Sequence, residues 1–218
     1  MKILKNVVYG IAALIALMAV IGLVALPRNS QVVRSLAINA PASVIFDQVN
    51  DLKKNEAWSP WKDPTMQITY GAVTEGKGAS SSWVSDKMGK GTMTIAESVP
   101  ASSINLDLDF GGMGSAKAIW TFVPEGDAVK VTEVMASDAG MNPMKRWMSL
   151  LSDKMVGGYF EKGLAALKQV SETRAAELKT EQAETQQAAA ELTLKGEEAE
   201  MHGAAPIPPA SAPAPKTP

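Results

Sequence analysis

Apolar and polar residues alternate in short segments across the middle of the chain, and this pattern predicts an antiparallel sheet. The clearest segment is SINLDLDF, in which Ile104, Leu106 and Leu108 are separated by polar residues. Similar runs, separated by turns rich in Gly, Pro and Asp, are QVVRSLAI, MQITYGAVT, ASSSWVS, GTMTIAES, SAKAIWTFV and AVKVTEVM. Successive side chains of a strand point to opposite faces, so one face of this sheet is expected to be apolar and the other wet.

Two segments show helical spacing instead. NAPASVIFDQVNDL places Ile45, Val49 and Leu52 on one face, and apolar residues keep the same spacing over residues 144–167, after an Asn-Pro start signal. The predicted order is strand, helix, six strands and long helix. We therefore predict an α+β fold in which a curved antiparallel sheet wraps around the long C-terminal helix, because this arrangement buries both apolar faces.

The N-terminal segment is continuously apolar. Residues 7–26, VVYGIAALIALMAVIGLVAL, contain no charge, and about 20 residues rising roughly 1.5 Å each match the roughly 30 Å hydrocarbon core of a bilayer. We predict a transmembrane anchor over residues 1–27. A cleaved secretory signal is the alternative, but the run is longer than a signal core and no small-x-small cleavage site precedes Pro27.

Basic residues flank this segment unequally. The amino group, Lys2 and Lys5 precede it, whereas Arg28 and Arg34 follow. The positive-inside rule then places the N-terminus inside and the following domain on the extracytoplasmic, periplasmic side.

The C-terminal part has a different composition from the domain predicted over residues 28–170. Residues 171–202 are rich in Ala, Glu, Gln and Lys and predict a solvated helical extension. Residues 203–218, rich in Pro and Ala, predict a disordered tail. A protein partner of this tail is one hypothesis.

The amino-acid composition of the chain argues against several kinds of chemistry. The 218-residue chain has no cysteine, which excludes disulfides and thiolate chemistry. Its net charge of −2 gives no basic surface for nucleic acid. The only histidine, His202, lies near the tail, so catalytic triads and histidine zinc sites lack their parts. No metal or cofactor is predicted.

Glu133 is the candidate for polar chemistry. In AVKVTEVM, strict alternation places it on the same face as Val129 and Val131. A carboxylate in an apolar interior has a raised pKa or requires a donor, and either marks an acid, a base or a ligand anchor. A bulge that turns Glu133 to solvent is the alternative.

The stretch WSPWKDP places two tryptophans around a proline. Pro60 and Pro64 disfavour helix at the residues before them, so we predict a rigid connector. Trp58 and Trp61 on this connector would pack at one end of the sheet, or contact a ligand at a cavity mouth. The methionines of strands, turns and covering helix fit either core filling or an adaptable ligand wall.

Several segments, in this order, resemble the SRPBCC (START-like, polyketide cyclase-related) superfamily, and in particular its membrane-anchored bacterial members. They are RSLAINAPASVIFDQVNDL, WSPWKDP, GKGTMTIAESVP, LDFGGMGSAKAIWTF and MVGGYFEKGLAALK, and the resemblance covers residues 32–170. It implies a helix-grip fold with a deep apolar cavity between sheet and long helix, used for lipids, sterols, polyketides and similar molecules. Relatives often have an aromatic residue at the position of Glu133, and their tails are shorter.

Three functions are consistent with this resemblance. The leading hypothesis is a membrane-anchored domain that binds a hydrophobic small molecule, either a lipid or a polyketide-like compound. The alternatives are a cyclase-like or hydrolase-like enzyme with Glu133 as acid or base, although no catalytic motif is found, and a non-catalytic interaction or regulatory module. The residues expected at the cavity, from alternation, helical spacing and the connector, are Trp58, Trp61, Trp83, Ile104, Leu106, Leu108, Trp120, Phe122, Glu133, Trp147, Leu151 and Met155.

Overall fold

The computed structural model describes the backbone of residues 1–203 and the side chains of residues 1–195. In chain order its elements are α1 (Lys2–Val24), β1 (Asn29–Ile38), α2 (Ala42–Asn50), α3 (Asn55–Trp58), β2 (Gln67–Tyr70), β3 (Ser80–Ser85), β4 (Gly89–Val99), β5 (Ser103–Asp109), a 3-10 turn (Gly111–Met113), β6 (Ser115–Glu125), β7 (Ala128–Asp138), α4 (Pro143–Ser149) and α5 (Ser152–Gly203). The chain divides into two compact units, Met1–Ala175 and Ala176–Pro218. The first contains all seven strands of the sheet, and the described part of the second is helical.

The seven strands form one antiparallel sheet in the order β1-β7-β6-β5-β4-β3-β2. Strands that follow each other in sequence are neighbours, except that β1 pairs with β7, the last strand. The predicted α+β helix-grip fold is confirmed: a curved antiparallel sheet, a long C-terminal helix and an apolar N-terminal helix.

The core lies on the inner face of the sheet. Five strands and two helices contribute to it. The strands β1, β4, β5, β6 and β7 provide Ile38, Ile95, Ile104, Leu106, Trp120, Phe122 and Val131. Helix α2 provides Ile45, Phe46 and Val49, and α5 provides Leu164 and Leu167. The outer face carries the alternate residues, such as Asp107 and Lys117, which are exposed. The hydrophobic effect on the inner face therefore fixes the register of the sheet, because a one-residue slip would reverse both faces.

The covering helix differs from its predicted form. The segment is two helices, α4 and α5, which are separated at residues 150–151. The side-chain amide oxygen of Asn142 caps α4 by accepting from the backbone N–H groups of Met144 and Lys145. Among the stripe predicted to face the sheet, Leu164 and Leu167 are buried, whereas Met144, Met148, Leu151 and Met155 are largely exposed. Helical spacing identifies one apolar face but does not say what covers it.

The C-terminal predictions are only partly within the described residues. The backbone of α5 continues as a helix to Gly203. The predicted tail over residues 203–218 lies, beyond the backbone of Gly203, outside the described residues, and so does the side chain of His202.

Candidate functional site

Burial on the inner face decreases towards one end of the sheet. On β5, Ile104 is fully buried while Leu108 is only partly buried, and on β7 the same change runs from Val131 to Met135. Ala116, at the matching level of β6, carries only a methyl group. The inner face is therefore fully buried at the Ile104 end and only partly buried at the other. We call the latter the open end; the β5–β6 turn lies beside it.

Glu133 lies on this inner face, one step from the open end. β7 pairs with β1 and β6 without a bulge at Glu133, which is opposite Arg34 on one side and Trp120 on the other. Its side chain is 8% exposed, and no hydrogen bond reaches its carboxyl group from any described residue. Burial raises the pKa of Glu133 to about 8, so the carboxyl group is mostly protonated at neutral pH. Such a group can donate a hydrogen bond to a ligand or a proton to a substrate.

Arg34 is the cation nearest to Glu133 by strand pairing, but it is engaged elsewhere. Its Nε donates to Oε1 of Glu161 at 2.8 Å, and Nη1 donates to Oδ1 of Asp153 at 2.8 Å. Both acceptors lie on α5, one turn on either side of Gly157. A Cβ built at Gly157 would lie 2.1 Å from Nη2 of Arg34, so the absence of a side chain there makes room for the guanidinium. Asp153 consequently has a pKa below its usual range, mainly through this hydrogen bond.

The WSPWKDP connector packs across α5 and the core. The indole of Trp58 is buried, meets Trp120 edge-on at 5.5 Å between ring centroids, and donates to the carbonyl of Gln48 at 3.0 Å. Pro60 lies against Gly163 of α5, and Trp61 stacks on Tyr159 with centroids 4.5 Å apart. Trp58 is thus part of the core, whereas Trp61 is partly exposed on the surface of α5.

Aromatic side chains border the open end. Trp83 lies over Gly91, where a Cβ would come within 2.3 Å of its ring, and meets Phe110 edge-on at 5.9 Å. Both rings are partly exposed. Met93 and Leu108 pack against the core beside them. The open end therefore presents an apolar rim that is not fully covered.

The twelve residues predicted for the cavity divide into four groups. Trp58, Ile104, Leu106, Trp120, Phe122 and Glu133 come together on the closed part of the inner face, and Trp83 and Leu108 lie at the open end. Trp61, Leu151 and Met155 are exposed on or beside α5, with exposed fractions of 37%, 50% and 55%. Trp147 faces α1 instead of the sheet, and its Nε1 donates to the carbonyl of Met18 at 3.0 Å.

The sequence did not identify Arg34 and Gly157 as residues near the site. Their importance depends on α5 crossing β1, which no local pattern specifies. The sequence signal nearest to it was the double glycine of MVGGYFEKGL, which marks a place where the helix approaches another group closely.

Two clefts lie on the outer face of the sheet. One of about 290 Å³ is bordered by Lys77, Glu97 and Lys117, and another of about 590 Å³ by residues such as Gln31, Thr94 and Asp138. Their walls combine apolar with polar and charged side chains. Among the described residues, no group of three or more His, Asp or Glu side chains is arranged to hold a metal ion.

The N-terminal helix α1 is long and apolar enough to cross a membrane, with a mean hydropathy of 2.7 over its most apolar window. Only 6% of that window is buried within the protein. A buried core helix would not show this exposure, although a signal sequence would share it.

Solved structures with the same fold share little sequence with this chain. SA2116 from Staphylococcus aureus, described as a protein of unknown function, has a TM-score of 0.53 at 10% identity, covering 67% of this chain and 95% of its own. NE0264 from Nitrosomonas europaea has a TM-score of 0.50 at 9% identity, covering 66% and 96%. DynU16, from the dynemicin biosynthetic locus, has a TM-score of 0.49 at 16% identity and covers 67% of this chain, which spans only 48% of DynU16. These likenesses concern the fold alone.

The sequence comparison is more specific than the structural one. Comparison with curated proteins gives no match. The profile of one family, described as polyketide cyclase / dehydrase and lipid transport, matches residues 30–172. This range runs from β1 into α5 and includes every strand of the sheet, Glu133 and the open end. The chain therefore belongs to the polyketide cyclase / dehydrase and lipid transport family of the SRPBCC superfamily.

Proposed function

We propose that this protein is a membrane-anchored START-like domain that binds a hydrophobic small molecule, a lipid or a polyketide-like compound, between the inner face of the sheet and the C-terminal helix. The observation that carries the proposal is Glu133, a buried and mostly protonated carboxyl group with no hydrogen-bond partner among the described residues. A ligand with one polar group would supply that partner while its apolar part lies on the inner face.

The shape of the inner face supports the same proposal. Small side chains at Ala116 and Ala118, beside the partly exposed Met93 and Leu108, leave the open end with apolar surface and little bulk. At about 25 cal/mol per Å², a ligand that hides a few hundred Å² of apolar surface gains several kcal/mol. Methionine side chains would adapt to ligands of different shapes.

Two neighbouring residues of β6 provide a matched test of this site. Ala116 faces inward and is 7% exposed, whereas Lys117 faces outward. In the full chain in detergent, we expect Ala116→Phe to weaken binding of fluorescent fatty acids or sterols at least tenfold. Lys117→Phe should leave binding unchanged. Thermal unfolding of both variants checks that they are folded.

Native mass spectrometry of the purified full chain gives an independent measurement, with a co-purified apolar ligand as the expected result. The absence of any such ligand, together with no binding across the probe panel, would refute the proposal. If a folded Ala116→Phe variant binds the probes as tightly as the wild type, the binding site does not lie at the open end.

A second candidate function is a cyclase-like or hydrolase-like activity, favoured by the pKa of about 8 at Glu133. A carboxylic acid that stays protonated at neutral pH can act as a general acid. The test is Glu133→Gln in whatever turnover assay a bound ligand suggests. Unchanged turnover would remove Glu133 from catalysis, while binding to the same site could persist.

We also propose that the domain lies on the extracytoplasmic side of the membrane, with the N-terminus inside. The basis is the excess of basic residues before α1. A cysteine at the exposed position Val123 should react with a membrane-impermeant maleimide on intact cells. If the cysteine reacts only after lysis, the domain lies on the cytoplasmic side and the proposed orientation is wrong.

A further inference from the structure

Helix α4 is packed against the C-terminal part of α1. Gly22 of α1 has no side chain, and a Cβ there would lie 3.0 Å from Cβ of Pro143 and 3.1 Å from Nε1 of Trp147. The buried guanidinium of Arg146 donates to the carbonyls of Leu23 and Leu26 at 2.6 and 3.2 Å. The Leu23 carbonyl is in the last turn of α1 and the Leu26 carbonyl is just beyond it, and neither accepts from a helical N–H. Arg146 therefore caps α1 and holds α4 beside it.

The contact reaches into the apolar segment of α1. The Trp147 indole donates to the carbonyl of Met18, eight residues before Leu26, the end of the apolar run. At about 1.5 Å per residue this carbonyl lies roughly 12 Å inside that run. Because a run of about 30 Å has no excess length over the hydrocarbon core, α4 enters the outer part of the bilayer whenever α1 spans it.

One strip of the surface of α4 and the beginning of α5 is apolar and uncovered. Met144, Met148, Leu151 and Met155 follow one another at helical spacing, and their exposed fractions are 69%, 48%, 50% and 55%. We call these four residues the methionine stripe. An exposed apolar stripe of this kind, beside a transmembrane helix, matches the interfacial elements of membrane proteins.

The linker keeps the start of the domain close to the end of α1. Only residues 25–28 connect α1 to β1, and four extended residues span at most about 14 Å.

We infer that α4 and the first turn of α5 form an interfacial element, held by α1, whose methionine stripe is inserted among lipid acyl chains of the adjoining leaflet. This inference rests on the membrane anchor of the proposed function but is separate from ligand binding. It also relates the open end of the inner face to the bilayer. Lys145 of α4 lies against Gly114, in the β5–β6 turn beside that end, so an apolar ligand would have a short route from lipid to the open end.

Because the chain contains no cysteine, single-cysteine variants can report depth directly. The full chain is placed in nanodiscs of phosphatidylcholine and phosphatidylglycerol, with an NBD fluorophore at Leu14→Cys, Met148→Cys or Val123→Cys. Leu14 is in the middle of α1, and Val123 is an exposed position at the far end of β6 from α4. Quenching by lipids that carry a spin label high or low on the acyl chain then measures the depth of each site.

We expect the fluorophore at position 14 to be quenched strongly by the deep spin label. The fluorophore at position 148 should be quenched by the shallow label, several-fold more than the fluorophore at position 123, which should show only background quenching.

Adding Gly22→Leu should push α4 off α1. Quenching at position 148 then falls towards the level at position 123, while quenching at position 14 is unchanged. Water-like emission at Met148 with a deep Leu14 would refute the interfacial element alone. Unquenched Leu14 would refute the anchor and this inference together, and unchanged quenching at Met148 in the Gly22→Leu variant would refute its retention by α1. The ligand-binding comparison of wild type with Ala116→Phe does not depend on any of these outcomes, so the two proposals can fail separately.

Discussion

At the scale of single residues, Glu133 stands out because its neighbours give it no compensation. The carboxyl group faces Trp120 on one side, and the guanidinium of Arg34 on the other is bonded to Asp153 and Glu161. A largely buried polar group without a partner lowers the free energy of unfolding. The proposed ligand would supply the missing hydrogen-bond partner.

The raised pKa of Glu133 makes a prediction about pH. Its folded pKa is about 8, against a usual value of 4.5, so the folded state binds the proton more tightly. The cost of burial is absent below the unfolded pKa, grows as pH rises from about 4.5, and is complete above about 8. We expect Glu133→Gln to raise the free energy of unfolding by about 3 kcal/mol at pH 7 and about 1 kcal/mol at pH 5.

Thermal unfolding of the full chain in detergent, between pH 5 and 9, measures this effect. Glu125→Gln is the matched control, because Glu125 is an exposed carboxylate on the adjacent strand β6 whose ion pair with Lys130 is worth little. Its pH profile should follow that of the wild type. A Glu133→Gln profile parallel to wild type over the whole range would show that the carboxyl group is ionised or solvated in the folded state.

Alternation along β7 predicted the inward position of Glu133, since a side-chain period of two is a local property, but it left a bulge open as the alternative. The continuous register of β7 with β1 and β6 excludes that bulge. The partners of Arg34 could not be predicted in the same way. They lie 119 and 127 residues away on α5, and their approach depends on how the helix crosses the sheet.

At the scale of elements, the contact between α5 and β1 depends on one of two adjacent glycines. A side chain at Gly157 would collide with the Arg34 guanidinium, whereas nothing lies within 4 Å of a Cβ at Gly158. We expect Gly157→Ala to destabilise the fold by about 1–3 kcal/mol, because it displaces Arg34 from Asp153 and Glu161. Gly158→Ala should stabilise it by about 0.5–1 kcal/mol through the higher helix propensity of alanine.

The two single variants have the same chemistry and differ only in what the new methyl group meets. Thermal or denaturant unfolding of the full chain in detergent therefore compares them directly. Similar effects of the two substitutions would mean that Arg34 moves aside at no cost, and that its bonds to α5 contribute little to the fold.

Element types were largely predictable from sequence, but element partners were less so. Strand alternation and turn residues predicted the sheet. The inner face is buried over most of the sheet, and this burial is what requires apolar residues at every second position. The stripe from Met144 to Met155 has the same helical spacing as Leu164 and Leu167, yet only the latter pair is buried by the sheet. Spacing reports that a face is apolar, and the surface that covers it is decided by the packing of α4 on α1.

At the scale of the whole molecule, the structure joins the apolar helix to the domain by more than a linker. Arg146 and Trp147 bond to carbonyls of Leu23, Leu26 and Met18. The core of the sheet, α2 and α5 contains no residue of α1. The domain should therefore fold without α1, and α4 should not keep its ordered position.

Removing residues 1–27 tests this division. We expect the backbone amides of β5, β6 and β7 to keep their protection from hydrogen exchange, because their core is untouched. The amides of residues 144–149 in α4 should lose about tenfold or more in protection, since a seven-residue helix is marginal without tertiary contacts. Hydrogen exchange with mass spectrometry on the truncated and full chains measures both effects in one experiment.

The full chain with Gly22→Leu is the control that keeps α1 but blocks its contact with α4. It should reproduce the loss of protection in α4. Full protection of that segment in both variants would mean that α4 is held by the domain itself, and exchange throughout the strands of the truncated chain would make α1 part of the folding unit.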